Sequence, residues 1–321
     1  LALVRRAEEL GYHSTLIAQH VINPFSSEWD QLETWTSAAA LAASTSTIEL
    51  IAAIKPLLFH PVVLAKQAAN IEEISGGRLS LNVVNAWFRP ELEKAGIAFP
   101  EHDDRYGYGV EWLTIVRRLL SGERVSHEGR YFSIDDYQIN PTGRFRSRPE
   151  IYVGGESDQA RDLVATQGDV WFINGQPIER VRELIADVGR RERTGSPVRY
   201  GLSAFVIARD DAESAQRELD HHWKLNELDQ PVLTNIAGGA DEKAVMFQTF
   251  ARYPAIGTNG GTAAGLVGSY DEVADRIADF HRAGIETFML QFQPFEADME
   301  RFAAEVIPRV HERLGAVVAA P

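Results

Sequence analysis

Short apolar runs alternate with longer segments whose apolar residues recur every three or four positions, and this rhythm holds along almost the whole chain. The pattern predicts strands followed by crossover helices, which is the signature of a parallel sheet. Strands are expected at 15–20, 48–54, 79–84, 150–155, 170–173, 202–208 and 287–292, and helices at 32–43, 61–74, 105–120, 157–166, 177–193, 211–225 and 297–314. Within 177–193, Ile178, Val181, Ile185 and Val188 share one helical face. Pro61 stands at a tolerated first-turn position, and Gly76-Gly77 turns the chain into the next strand. That strand, with Leu79, Leu81, Val83 and Val84, has the near-continuous apolar character of one buried on both faces. Residues 125–138, broken at Glu128-Gly129, read as a β-hairpin insertion.

The architecture expected is therefore α/β, a (β/α)8 barrel with insertions, in one domain spanning 1–321. Residues 1–10 already read as a helix, stopped by Gly11. A barrel begins on a strand, so the first strand is expected to be missing from this sequence. One segment, about 227–268, breaks the rhythm: no strand is evident, and Gly257, Gly260, Gly261, Gly265 and Gly268 crowd its end. Long irregular insertions of this kind are lids or surface loops. Ser269 with Glu272 then forms a capping-box pattern for a helix over 270–283.

Composition narrows the function classes. The 321 residues, 45% hydrophobic, suffice for a large core, and the formal net charge of −14 argues against nucleic acid and anionic membrane surfaces. No apolar run approaches a membrane span. Without cysteine there is no disulfide, thiolate nucleophile or cysteine-ligated zinc, and the cytoplasm is the default compartment. No HExxH, GxSxG or strand-following GxGxxG is present, so no metal is expected and no dinucleotide module for NAD(P)H. His221 and His222 read as surface residues, and His102 beside Asp103 and Asp104 as a weak metal ligand at best.

Chemistry concentrates between Leu79 and Tyr106. The strand ends in Asn82 and Asn85, then Trp87, Phe88, Arg89 and Glu91, with His102-Asp103-Asp104-Arg105-Tyr106 just ahead of a helix. Ligands in α/β folds bind at carboxyl ends of strands, which places a site here. A solvated loop that caps the next helix explains the same acidic residues. A second candidate is Tyr152-Val153-Gly154-Gly155-Glu156-Ser157, a strand end feeding a helix N-terminus, suited to an anion; Ser157 equally suits a plain helix cap. A third is Gln19-His20, where His20 fits either a site or a barrel rim. Lys55 is an unusual charge at the end of its strand.

Taken in order, Asn82-Val83-Val84-Asn85-Ala86-Trp87-Phe88-Arg89-Pro90-Glu91 followed by His102-Asp103-Asp104-Arg105-Tyr106 resembles the bacterial-luciferase-like flavin-dependent monooxygenases. Within that superfamily the resemblance is to the two-component, reduced-FMN-dependent branch of dimethyl sulfone, alkanesulfonate and pyrimidine monooxygenases. It implies reduced FMN (FMNH2) from a separate NAD(P)H-dependent flavin reductase, O2 and a small-molecule substrate as partners, and a homodimer or homotetramer. It also implies that Ser157, Tyr106 and Arg105 hold the FMN phosphate beside Gly155, that Gln19, His20, Asn82 and Glu91 contact flavin, and that the 227–268 insertion closes over it. His20, Asn82 and Trp87 are the catalytic candidates, and Trp87, Phe88, Phe172 and Phe292 would line an apolar chamber. Alkanesulfonate enzymes carry Arg and His where this chain has Ser203 and Phe205, and Trp where it has Asn174. Loss of those cations favours a small neutral substrate, a sulfone foremost, cleaved at C–S. Trp87-Phe88-Arg89-Pro90, Lys55 and the glycine-rich insertion depart from the sulfone pattern. A deazaflavin-dependent dehydrogenase of the same barrel and a non-catalytic flavin-binding protein are the alternatives.

Overall fold

The structure is a computed structural model that describes residues 1–315 apart from Glu242 and Ala244. Its first half runs α1 (Ala2–Glu9), β1 (Ser14–Ile17), α2 (Thr34–Ser44), β2 (Glu49–Ile54), α3 (Pro61–Ser75), β3 (Leu79–Val83), α4 (Arg89–Glu93) and α5 (His102–Leu120). After the hairpin β4 (Val125–Glu128) and β5 (Ser133–Tyr137) come β6 (Glu150–Gly154), α6 (Asp158–Gln167), β7 (Val170–Ile173), α7 (Ile178–Gly189), β8 (Arg199–Phe205) and β9 (Ile207–Arg209). The chain ends with α8 (Ala212–Gly239), α9 (Val245–Arg252), β10 (Val267–Ser269), α10 (Tyr270–Arg282), β11 (Ile285–Gln291), α11 (Phe295–Arg301) and α12 (Ile307–Leu314).

Seven parallel strands form one nearly closed sheet in the order β1-β2-β3-β6-β7-β8-β11, with the helices outside. Among the described residues β1 and β11 do not pair, which leaves one position of the barrel open. Side chains alternate across each strand, and two cores result. Leu50, Ala52 and Ile54 of β2, Leu79, Leu81 and Val83 of β3, and Trp171 and Ile173 of β7 pack outward against the helices. Ile51, Tyr152, Val170 and Phe172 pack inside the barrel. Burial of such aliphatic side chains stabilises by about 1.5–3 kcal/mol each. The same alternation turns Ser80 and Asn82 inward. Ser80 donates to Glu49 at 2.5 Å near the bottom, and Asn82 lies one inward position higher, at the rim.

Local signals set the boundaries. Pro61 opens α3 after the His60 cap, and Gly76 closes it at φ 70°. The Ser269/Glu272 capping box is formed in full at the start of α10. On the outside of the barrel, Trp112 of α5 is fully buried and donates Nε1–H to the Phe59 carbonyl at 2.8 Å. The hairpin is present, and no helix among the described residues is long and apolar enough to cross a membrane.

Three expectations are corrected. The 227–268 segment is not irregular: α8 continues through Pro231 to Gly239, α9 follows, and β10 pairs in parallel with β9. The strand expected at 202–208 divides at Val206 into β8 and β9, the first in the barrel and the second outside it. His102 to Tyr106 form the first turns of α5 and do not precede it.

Candidate active site

The carboxyl ends of the strands open into a cavity of about 500 Å³. Its lower wall consists of inward-facing residues from successive strand ends, among them Ala53, Asn82, Phe172 and Ser203. Register explains the grouping: Ala53 pairs with Asn82 and Asn82 with Tyr152, so side chains far apart in sequence share one level. Of the residues expected at the site, Gln19, His20, Asn82, Trp87, Arg105, Tyr106, Gly155 and Ser157 all line this cavity.

Glu91 does not line it. It sits behind the wall, its side chain fully buried, with Oε1 accepting from the Val21 amide at 2.7 Å and Oε2 paired with Lys55. Lys55, 2% exposed, also reaches His20 Nδ1 at 3.1 Å. Burial pushes the Lys55 ammonium below its usual range against the pull of Glu91. Burial also pushes Glu91 up, yet the adjacent His20 and Lys55 outweigh it and hold the carboxyl low.

The corner expected to hold an anion lies between α5 and α6. Ser157 caps α6, its Oγ accepting from the Ala160 amide at 3.2 Å. Tyr106 is buried against it; desolvation pushes the phenol up, opposed by a hydrogen bond with Ser157. Gly155 has φ 106°, and a Cβ there would stand 3.2 Å from the Tyr106 hydroxyl, so only glycine suits the turn. Arg105 lies 4.1 Å over the Phe99 ring, donates to the Pro100 carbonyl at 2.7 Å and pairs with Asp241. Burial pushes the Asp241 carboxyl up, but the Lys243 amide and Arg105 bring it below its ordinary value.

Glu156 was not read from the sequence as a site residue, although an acidic residue between Gly155 and a helix cap is a signal. It is buried beside this corner and accepts from the Asn174 amide at 2.6 Å and Gln176 Nε2 at 3.1 Å. Burial raises its carboxyl above the usual range. Its neutral donors tie the ends of β6 and β7 together.

The upper wall comes from the insertion. Leu233 and Ile236 of α8, Val245 and Phe250 of α9, and Gly257 to Asn259 face the cavity. Asp241 donates its amide to the Trp87 carbonyl at 2.8 Å, and Phe88 bridges to Ala240. Farther along, Gln291 Oε1 accepts from the Thr258 amide and hydroxyl, both at 3.0 Å, and Gly175 donates to the Asn259 carbonyl at 2.8 Å.

Two members of the expected apolar chamber lie elsewhere. Phe88 supports the insertion without lining the cavity, and Phe292 packs among Tyr12, Phe295 and Phe302. His222 is buried, at 6% exposure, with its ring edge-on to Phe205; His221 is exposed as expected. Among the described residues no cluster of His, Asp and Glu could hold a metal ion.

A parallel barrel with a cavity at its strand ends and a helix N-terminus opening beside it defines the class of site that holds a phosphorylated cofactor. The chain belongs to the luciferase-like monooxygenase family, whose model matches residues 1–287. It is 30% identical over 324 residues to the FMNH2-dependent dimethylsulfone monooxygenase of Pseudomonas fluorescens (strain Pf0-1), covering 97% of this chain and 86% of that protein. Among solved structures, long-chain alkane monooxygenase LadA matches with a TM-score of 0.78 at 17% identity, over 99% of this chain and 84% of LadA. DmoA from Hyphomicrobium sulfonivorans matches with a TM-score of 0.76 at 17% identity, over 99% of this chain and 82% of DmoA. These two show the shared fold.

Proposed function

We propose that the protein is an FMNH2- and O2-dependent monooxygenase acting on a small neutral sulfone, dimethyl sulfone foremost, with cleavage of the C–S bond. Reduced flavin comes from a separate NAD(P)H-dependent reductase in the cytoplasm, and the chain works as a homodimer or homotetramer. Hydroxylation of the carbon next to sulfur and collapse of the product balances as sulfone plus O2 plus reduced flavin giving a sulfinate, an aldehyde, water and oxidised flavin.

The residues fit FMN. Asn82 Oδ1 and Gln19 Oε1 are buried acceptors, and Arg105 Nε a buried donor, none with a partner among the described residues. Buried polar atoms in that state are costly, and a polar ligand resolves the cost. Asn82 and Gln19 would hold the flavin ring, while Ser157, Tyr106 and the free amides of α6 would hold its phosphate beside Gly155. FMN supplies the oxygen-activating chemistry when bound. This chain's own part is orientation and exclusion of water, for which Trp87, Phe172, Ile236 and Phe250 form apolar cover under an insertion that acts as the lid.

The observation that carries the substrate class is the neutrality of the lining. Its three lysine and arginine side chains each have a carboxylate: Lys55 with Glu91, Arg105 with Asp241, and Lys243 with Asp103 at 3.9 Å. With Ser203 and Asn174 opposite, no uncompensated cation awaits a sulfonate. Anaerobic titration tests the cofactor role: reduced FMN should bind more tightly than oxidised FMN, as a diffusing co-substrate requires, and stoichiometric oxidised FMN that resists washing would contradict it.

A further inference from the structure

We infer that Lys55 is a positioning residue that holds His20 as a neutral Nε2–H donor, so that the site selects a substrate with an uncharged acceptor oxygen over an anionic one; this rests on the monooxygenase reading above. Lys55 follows the last residue of β2, and Glu91 belongs to α4, which Pro90 starts at a fixed angle. Their ion pair is buried, with side-chain exposures of 3% and 0%. An ammonium has three protons to donate. One goes to Glu91 Oε2, and a second to His20 Nδ1 at 3.1 Å.

The competing arrangement has His20 Nδ1–H donating to Glu91 Oε2, a contact that would also hold the Glu91 carboxyl low, but its separation is 3.4 Å against 3.1 Å to Lys55. It exceeds the ordinary N–H···O range of about 2.7–3.2 Å. Nδ1 is therefore the acceptor, and the imidazole proton resides on Nε2. The ring is fixed edge-on against Trp87, with centroids 6.0 Å apart at 83°. His20 lines the cavity.

Lys55 and Glu91, the charged groups in contact with the ring, sum to zero, so the trio presents a polar N–H without net charge. A sulfonyl or carbonyl oxygen accepts from such a donor without giving up the hydration of a full charge. A sulfonate would lose that hydration and gain no free cation in return. Lys55 thus stands near the substrate as a buried cation without making an anion site.

Histidine 15N spectra of the ligand-free protein in alkaline solution test the tautomer directly, with His20 assigned by the signal lost in His20→Gln. The wild type should show the Nε2–H form. In Lys55→Met the proton should move to Nδ1 to meet Glu91. An Nδ1–H form in the wild type, or no change in Lys55→Met, overturns the inference.

In turnover, Lys55→Met should raise the KM for a dialkyl sulfone about tenfold or more, with reduced-FMN affinity within about twofold. An equal loss in both would overturn the assignment of this donor to substrate. Against the wild type, an alkanesulfonate of the same size should compete with the sulfone about a hundredfold less well, and tighter sulfonate binding would overturn the selectivity. An Nε2–H wild type without sulfone turnover would sink the functional reading while leaving the positioning role of Lys55 in place.

Discussion

The carboxylate of Asp241, two residues beyond the end of α8, is paired with the guanidinium of Arg105 on α5, 136 positions away in sequence. The pair joins the insertion over the cavity to the corner between α5 and α6 beneath it. If the FMN phosphate is held at that corner, it competes with Asp241 for the Arg105 guanidinium. Asp241→Asn should release Arg105 and tighten FMN by about 0.5–1.5 kcal/mol, or twofold to tenfold, with riboflavin unchanged. Calorimetric titration of both ligands decides it; weaker FMN binding would show that Asp241 shapes the site and does not compete for it.

Ser157 and Tyr106 separate the cofactor role from the structural one. If Ser157 donates to phosphate, Ser157→Ala should cost about 1.5–3 kcal/mol of FMN affinity, against about 1 kcal/mol of fold stability from loss of the α6 cap alone. Tyr106→Phe keeps the ring and removes the hydroxyl, so it should weaken FMN and leave riboflavin nearly unaffected. Equal weakening of both ligands would return the two residues to a purely structural role.

Gly260 is a second test of how the insertion is fastened. Its φ is 85°, and an added Cβ would overlap the carbonyl and amide of Gly175 at the end of β7. Gly260→Ala should destabilise by about 2–4 kcal/mol from left-handed strain and overlap combined. Urea unfolding measures it, and a loss within experimental error would mean the contact with Gly175 is not close in solution.

Stability should depend on Glu8 in a defined direction. Its Oε1 accepts from the amides of Ser46, Thr47 and Ile48 at 2.8, 2.5 and 2.9 Å, joining α1 to the start of β2. Desolvation pushes the carboxyl up, but these hydrogen bonds prevail and lower it to about 2. The folded value lies below the unfolded one of about 4.3, so the contribution is present above that pH and is lost as pH falls toward 2. Glu8→Gln should melt below the wild type near neutral pH, with the gap closing through this window. A gap independent of pH would rule out the charged form as its source.

Much of the barrel was legible because a period of two and a period of 3.6 leave different marks, and β2, β3, β7 and α10 lie where those marks place them. The second half of α8 left no such mark. Leu228 is 76% exposed, while Leu233 and Ile236 face the cavity, so no apolar stripe meets the core, and Pro231 and Gly238-Gly239 look like breakers. His222 carries no legible sign of burial for a related reason: its neighbours are charged, but its own ring packs on Phe205. At the site, motif order placed Asn82, Arg105, Tyr106 and Ser157 around one cavity. It misplaced Glu91, whose partner Lys55 lies 36 residues away, because nothing local in sequence announces a buried ion pair between two elements.

Sulfone monooxygenation is measured by supplying purified protein with a flavin reductase, NADH, FMN and dimethyl sulfone while O2 uptake and sulfinate formation are followed by electrode and mass spectrometry. Sulfinate should form only with the protein, reduced FMN and O2 together, in step with sulfone consumed. Absence of any O2-dependent product from sulfones, with hydride transfer observed instead on a deazaflavin, would contradict it.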